Sequence, residues 1–334
     1  MYLYKQTIMK KLIITTALRF FALSVFVYAA PAMAIELDAS PTMSSLTNRL
    51  VSEGVYTRAE LEALLGPIEV DDGVLKLFAR QAEAKPWYEY RNIFLKQDRI
   101  SAGKEFMRAN RELLNAVYDE YGVPPEIITA LIGVETFYGT RMGSRSVLRS
   151  LATLTAAYPR REKFFGKELE TFLGLLKSEN LVASDMEGSY AGAVGIPQFM
   201  PTSYVAYAVD YNDNGKRDLV HEVEDAAGSV ANYLVEHGWK RGAPISRWLD
   251  QPISPSAKKL VAKRAKPGLT VLTLRQNGIS LSESDDTKVS LNRLETSSGM
   301  RYFVGYGNFY ALTRYNPSNK YAMAIVELSQ AIAN

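Results

Sequence analysis

Apolar residues recur at helical spacing along most of this chain, and only one stretch near the C-terminus alternates with a period of two. Between Ser45 and Leu65 the apolar positions are Leu46 and Leu50, then Tyr56, Leu61, Leu64 and Leu65; they predict helix, and further helical segments follow to about Tyr118. Gly122-Val123-Pro124-Pro125 breaks that run. Pro125 suits the first position of a new helix, where a missing N–H costs no intrahelical bond. From there to about Trp239 the pattern gives helices joined by glycine-rich loops, most clearly Gly139 to Ser146 and Gly188 to Thr202. From about Gly242 the composition changes: Pro252, Ser254, Pro255, Ser256 and Ala257-Lys258-Lys259 mark a linker or solvated face. Leu269 to Leu274, Lys288 to Leu291 and Arg301 to Val304 then predict short strands. Asn319 to Ala333 returns to helix, with Tyr321, Ile325, Leu328 and Ile332 on one face. The expected class is α+β, mainly α: a helical domain over 35–118, a core over 119–241, a small antiparallel β subdomain over 242–305, and a returning segment over 306–334 that ends in a helix.

The first 34 residues follow another logic. Lys5, Lys10 and Lys11 precede an apolar stretch that ends in Ala32-Met33-Ala34, the order of charge, hydrophobicity and small residues found in a secretory leader. Met9 reads as well as Met1 as the start. Arg19 interrupts the apolar stretch and weighs against a membrane anchor, so cleavage after Ala34 is the expectation. The chain has no cysteine, which excludes disulfides, thiolate metal sites and a lipid-modified N-terminal cysteine. With 39 basic and 36 acidic residues, the charge balance gives no argument for nucleic acid. These readings describe an exported, periplasmic, soluble monomer.

One residue breaks the helical pattern in an informative way. In the helix opened by Pro125, the stripe Ile128, Leu131 and Ile132 continues to Glu135, a carboxylate where the period requires an apolar side chain. An ionised carboxylate is costly to bury unless paired, so such a group is salt-bridged, hydrogen-bonded or held protonated. A protonated glutamate near neutral pH is the general acid that cleavage of a glycosidic bond requires; a buried structural glutamate is the alternative. Thr136-Phe137-Tyr138-Gly139 follows, with aromatic surface beside the acid and a glycine to end the helix.

The segments GVETFYG, ATLTAAYPRR, GSYAGAVGIPQFMPTSY, SVANYL and ALTRYN, in that order, resemble the lytic murein transglycosylase B family over about Pro86 to Tyr321. The resemblance implies a lysozyme-like catalytic core and cleavage of the bond between N-acetylmuramic acid and N-acetylglucosamine in peptidoglycan. It implies that Glu135 is the sole catalytic carboxylate, first as acid and then as base toward the muramic acid C6 hydroxyl, leaving 1,6-anhydro ends. Ordinary glycosidases use two carboxylates. The nearest candidates in sequence, Asp185 and Glu187, read as solvated loop charges. Carried over by position, the resemblance places Ser189, Gln198 and Phe199 near the acid. It makes Tyr233 an orienting group, and puts Tyr90, Arg160, Arg161, Tyr315, Asn316 and Tyr321 along the saccharide and peptide groove. For most of the chain's 20 tyrosines the competing reading is core packing with one satisfied hydroxyl.

Asp210, Asn212, Asn214 and Asp218 stand at positions 1, 3, 5 and 9 of an EF-hand-like loop, with Gly215 at position 6. Lys216 would offer its carbonyl. His221 occupies the twelfth position, where a bidentate glutamate belongs, and the resemblance implies a longer loop closed by Asp225. A structural Ca2+ is one reading and an Asn/Gly turn without an ion is the other. His221 and His237 are too few and too poorly spaced for zinc. No cofactor is expected for catalysis. The expected partner is the peptidoglycan glycan strand, with other cell-wall enzymes as possible associates; a hydrolysing muramidase and a non-catalytic wall-binding protein are the competing functions.

Overall fold

The apolar stripes of the first helices do not close on one another, and that decides the architecture. The computed structural model describes residues 34–78 and 85–334, so the leader expected over 1–34 lies, but for Ala34, outside the described residues. Helices α1 (Pro41–Ser52), α2 (Arg58–Leu65) and α3 (Asp72–Phe78) open the chain. Ser40 caps α1 by accepting the Met43 N–H at 3.2 Å, and Thr57 and Glu60 form a reciprocal capping box on α2. Then come α4 (Trp87–Phe94), α5 (Gln97–Ala109), α6 (Arg111–Tyr121) and α7 (Pro125–Thr136). Gly122 ends α6 in the left-handed conformation at φ 71°. Strand β1 (Arg145–Ser146) leads into α8 (Val147–Ala157) and α9 (Glu162–Ser178). Strand β2 (Glu187–Gly188), α10 (Pro201–Tyr207) and α11 (Val223–Glu236) complete the middle third.

Two helical cores result, and each joins distant segments. One gathers Met43, Leu46, Leu50 and Leu61 from α1 and α2 with Leu151, Leu154, Leu169 and Phe172 from α8 and α9. The other gathers Trp87, Leu114 and Val117 with Ile128, Leu131 and Ile132 of α7 and with Val230 and Leu234 of α11. The expected helical domain over 35–118 is therefore divided between two cores. Sequence periodicity shows which face of a helix is buried and carries no information about its partner.

The C-terminal third holds β3 (Ser246–Trp248), α12 (Pro255–Lys258), β4 (Leu269–Thr270), α13 (Val271–Gln276), β5 (Lys288–Thr296), β6 (Gly299–Gly305), α14 (Gly307–Tyr315) and α15 (Asn319–Ala333). The strands form an antiparallel sheet in the order β3-β6-β5-β4. The register Leu291↔Val304 and Asn292↔Phe303 divides its faces. Leu291 and Val304 enter a third, smaller core, whereas Leu294 and Phe303 face the core that contains α7. The strand expected over Leu269 to Leu274 ends at Thr270. Its side chain accepts the Thr273 N–H and starts α13, in which Val271 and Leu274 are buried one turn apart. Among the described residues, no helix is long and apolar enough to cross a membrane.

Helix α7 is packed closely at its C-terminal end, where a Cβ on Gly133 would lie 2.6 Å from the Tyr138 ring. Gly133→Ala is expected to destabilise the protein by about 1–3 kcal/mol through overpacking. Urea denaturation checks this: a midpoint equal to wild type would show that Tyr138 yields freely.

Candidate active site

Glu135 occupies the last turn of α7, beyond Ile128, Leu131 and Ile132, which are fully buried. Burial pushes its carboxyl pKa up to about 7, and the Tyr321 hydroxyl, which donates to Glu135 Oε1, acts in the opposite direction. The C-terminal end of a helix carries partial negative charge and also disfavours the carboxylate. Among the described residues no second carboxylate contributes to the shift. Asp185 and Glu187 are both exposed. Glu135 is thus poised between acid and base near neutral pH without a charged partner.

Tyr321 comes from α15, which packs along α7. Its ring is stacked on Tyr315 at 6.5 Å between centroids, with 14° between planes. Tyr315, at the end of α14, donates its hydroxyl to Pro197 O and feels the charge of Glu135. Tyr233 packs edge-on against Tyr315 at 4.8 Å and donates to Arg314 O at 2.7 Å; Phe199 packs against both rings. His237 stacks on Tyr233 at 4.1 Å as part of the same aromatic group. Tyr90, on α4, packs against Trp87 and Phe94 and adds to the field around Tyr321. Glu135, Tyr90, Phe199, Tyr233, Tyr315 and Tyr321 therefore form one cluster. Asn316 follows Tyr315 as the cap of α14.

Two loops flank the acid and are locked to each other. A Cβ on Gly143 would lie 2.1 Å from Gly188 O, and one on Gly188 would lie 2.1 Å from Ala193 O, so backbone packs on backbone there. Gln198 joins the two loops, donating to Met142 O at 3.0 Å and Gly195 O at 2.9 Å. Ser189 Oγ accepts the N–H groups of Ala191 and Ala193, at 3.3 and 3.0 Å, so that oxygen is used within its own turn. Thr136 Oγ1 donates to Ile196 O at 2.8 Å and ties the end of α7 to the second loop.

The helix does not run on to Gly139 as its termination signal implied. It ends at Thr136, and Phe137 and Tyr138 both adopt positive φ, at 51° and 62°, before the glycine. Strain of this kind at a non-glycine residue persists only when its surroundings enforce it. Here Arg99, which is 9% exposed, donates to Gly133 O and lies 5.0 Å from the Phe137 ring centroid, while Tyr138 donates to Arg99 O at 2.8 Å. Sequence reading missed Arg99, because a charged residue on an amphipathic helix normally signals solvent.

Arg160 and Arg161 lie apart from the cluster, exposed on the turn between α8 and α9; Arg161 stacks on Phe164 at 4.1 Å. Among the described residues neither forms an ion pair, so both guanidinium groups remain available to an anionic ligand.

The EF-hand-like loop is only partly arranged as expected. Asp210 accepts the N–H groups of Asn214 and Gly215, at 3.0 and 2.7 Å. The amides of Asn212 and Asn214 converge on the carboxylate of Glu222, at 2.7 and 2.9 Å. Asp225 instead lies fully buried and accepts the Tyr211 and Asp218 N–H groups at 2.8 and 2.7 Å, and Asp218 accepts from Val220, His221 and the His221 ring. The acidic residue that closes the ring of Asn212 and Asn214 is thus Glu222. Lys216 is exposed and its N–H is held by Asn214. Among the described residues no three acidic, histidine or cysteine side chains group as a metal cage, so any cation here would need amide and carbonyl oxygens beside at most two carboxylates.

Comparison with known proteins then identifies the architecture. Residues 38–330 match the Transglycosylase SLT domain family. The chain belongs to that family. This transglycosylase is 38% identical to the membrane-bound lytic murein transglycosylase B of Escherichia coli strain K12 over 309 residues, covering 88% of this chain and 83% of that one. Its fold superposes on the soluble lytic transglycosylase SltB1 of Pseudomonas aeruginosa with a TM-score of 0.82 at 39% identity, over 88% of this chain and 98% of the other. It also superposes on the Escherichia coli lytic transglycosylase Slt35 in complex with calcium, with a TM-score of 0.80 at 36% identity, over 90% and 96% of the two chains. The mainly helical, lysozyme-like class with a small antiparallel sheet agrees with these relatives.

The Tyr321 bond favours the ionised form of Glu135 in this transglycosylase. Tyr321→Phe removes that preference and should raise the Glu135 pKa above about 7, so the alkaline limb of the activity profile should move to higher pH. A pH–rate profile of the variant checks the direction, and a limb displaced to lower pH would contradict it.

Proposed function

We propose that this peptidoglycan lytic transglycosylase cleaves the β-1,4 bond between N-acetylmuramic acid and N-acetylglucosamine with Glu135 as its only acid and base. The observation that carries this reading is a carboxyl held at about 7 by burial, hydrogen-bonded to Tyr321, with no second carboxylate among the described residues acting on it. Protonated, Glu135 gives its proton to the glycosidic oxygen as the C1–O bond breaks. The resulting carboxylate takes the proton of the muramic acid C6 hydroxyl while that oxygen bonds to C1, closing the 1,6-anhydro ring and restoring the acid. Substrate supplies the nucleophile, so no water is consumed. A hydrolase would need a second carboxylate to activate water or to attack, and that requirement disfavours the muramidase reading.

In the same reading, the aromatic wall of Phe199, Tyr233, Tyr315 and Tyr321 faces the sugar rings, with Ser189, Gln198, Tyr90 and Asn316 lining the groove. Arg160 and Arg161 meet carboxylates of the peptide. The enzyme acts in the periplasm after export.

A calcium ion would be held in this loop by oxygens of Asp210, Asn212, Asn214 and Glu222, the last of which already meets the amides of both asparagines, with the Lys216 carbonyl as a further donor. When bound, the ion would cross-link the loop that leads into α11, the helix that carries Tyr233.

Mass spectrometry of muropeptides released from purified peptidoglycan tests the reaction. Wild type should yield anhydromuramic products and Glu135→Gln none; reducing-end products would make the enzyme a hydrolase, and products from the variant would remove Glu135 from the chemistry. For the loop, a chelator should lower the melting temperature by about 2 °C or more, with recovery on adding calcium. An unchanged melting curve would sink the calcium reading.

A further inference from the structure

A cavity lies where α4, the sheet and α15 meet, and the residues grouped around Glu135 do not line it. It is an open cleft of about 450 Å³ lined by Trp87, Tyr88, Arg91, Trp248, Arg301 and Glu327, with the β5–β6 turn at its rim. The sheet register sets its chemistry. Arg301 pairs with Leu294, so it shares a face with Leu294 and Phe303, the face directed at the core containing α7. Arg301 lies at the exposed end of that face, beyond the part that Leu294 and Phe303 bury. The guanidinium lies 4.8 Å from the Trp248 ring centroid, and among the described residues no carboxylate pairs with it.

Across the cavity, Arg91 reaches Glu327 Oε2 through Nε and Nη2, at 2.9 and 2.8 Å, and its side chain is still 39% exposed. Two guanidinium groups against one carboxylate leave the site with a net positive charge. Tyr88, 37% exposed, and Trp248 supply aromatic surface beside those charges. A planar cation braced on an indole, next to a second arginine, is suited to grip a carboxylate in two-point fashion while the rings pack on a short peptide.

We infer that this cavity is a binding site for a carboxylate-bearing wall peptide, separate from the Glu135 cluster. The inference rests on the peptidoglycan substrate of the proposed function. Helix α4 places Tyr90 with the Glu135 cluster and Trp87, Tyr88 and Arg91 at this cavity, so one helix contributes to both. A peptide held there would anchor the polymer while a glycan strand occupies the acid.

The test uses the full protein in a Glu135→Gln background, so that nothing is cleaved, and follows tryptophan emission during titration. The probes are a synthetic wall tetrapeptide with free carboxylates, the same peptide with its carboxylates amidated, and chitotetraose. The free-acid peptide should quench emission saturably, with affinity at least tenfold lower for the amidated peptide and for the free acid on Arg301→Gln. Trp248→Phe should lose most of the quench, which reports on the site without removing a charge. Equal affinity for Arg301→Gln and its parent, no quench by the free acid, or tighter Arg301-dependent binding of chitotetraose would each overturn the inference. Muropeptide release by wild type separates the two readings: without anhydro products the proposed reaction fails, whereas with them a negative titration removes only the peptide site.

Discussion

The proposed chemistry depends on one carboxyl group placed where a carboxylate is unwelcome. Glu135 continues the apolar stripe of α7 into the last helical turn, and its partner is a neutral hydroxyl from Tyr321. Had evolution provided an arginine there, the group would be a permanent carboxylate and a poor acid. A tyrosine stabilises the anion only moderately, so both protonation states are accessible near neutrality. The aromatic group of Tyr233, Tyr315 and Phe199 keeps this environment intact, and Gln198 and Thr136 hold the flanking loops against the helix end.

Much of this was legible in the sequence, for identifiable reasons. Glu135 stood out because helical periodicity makes a single polar intrusion visible, and Pro125 marked the start of its helix. Asn319 to Ala333 read as a helix because its stripe of Tyr321, Ile325, Leu328 and Ile332 is complete. The group around the acid, however, joins positions as distant as Tyr90 and Tyr321, and only the resemblance to a family connected them. Val271 to Leu274 misled because a short alternating apolar run serves strand or helix equally, and the Thr270 cap decided for helix. Glu222 was overlooked because the EF-hand template counts to a twelfth position, and the converging carboxylate stands one residue later. Arg99 left no sequence signal, since its burial comes from the rings of Phe94 and Phe137, supplied by different helices.

Strain and rigidity are distributed unequally around the acid. Positive φ at Phe137 and Tyr138 is enforced by Arg99 and by the contact between Tyr138 and Gly133, so the end of α7 is fixed from the side of α5. The glycine contacts of the two loops fix it from the other side. Polar side chains at this end of the helix are spent on backbone carbonyls, which leaves Glu135 as the group free to exchange a proton.

The Glu135–Tyr321 bond spans 186 residues of sequence and takes its donor from the final helix. Synthesis runs from the N-terminus, so α7 exists long before α15 does. Until α15 has docked on α7, part of the cover that raises the Glu135 pKa is missing, and the acid is less readily protonated. An unfinished or C-terminally clipped chain therefore carries its complete acid helix and both glycine loops, yet lacks the environment that makes a proton available to a sugar. Docking of α15 and arming of the acid are one event.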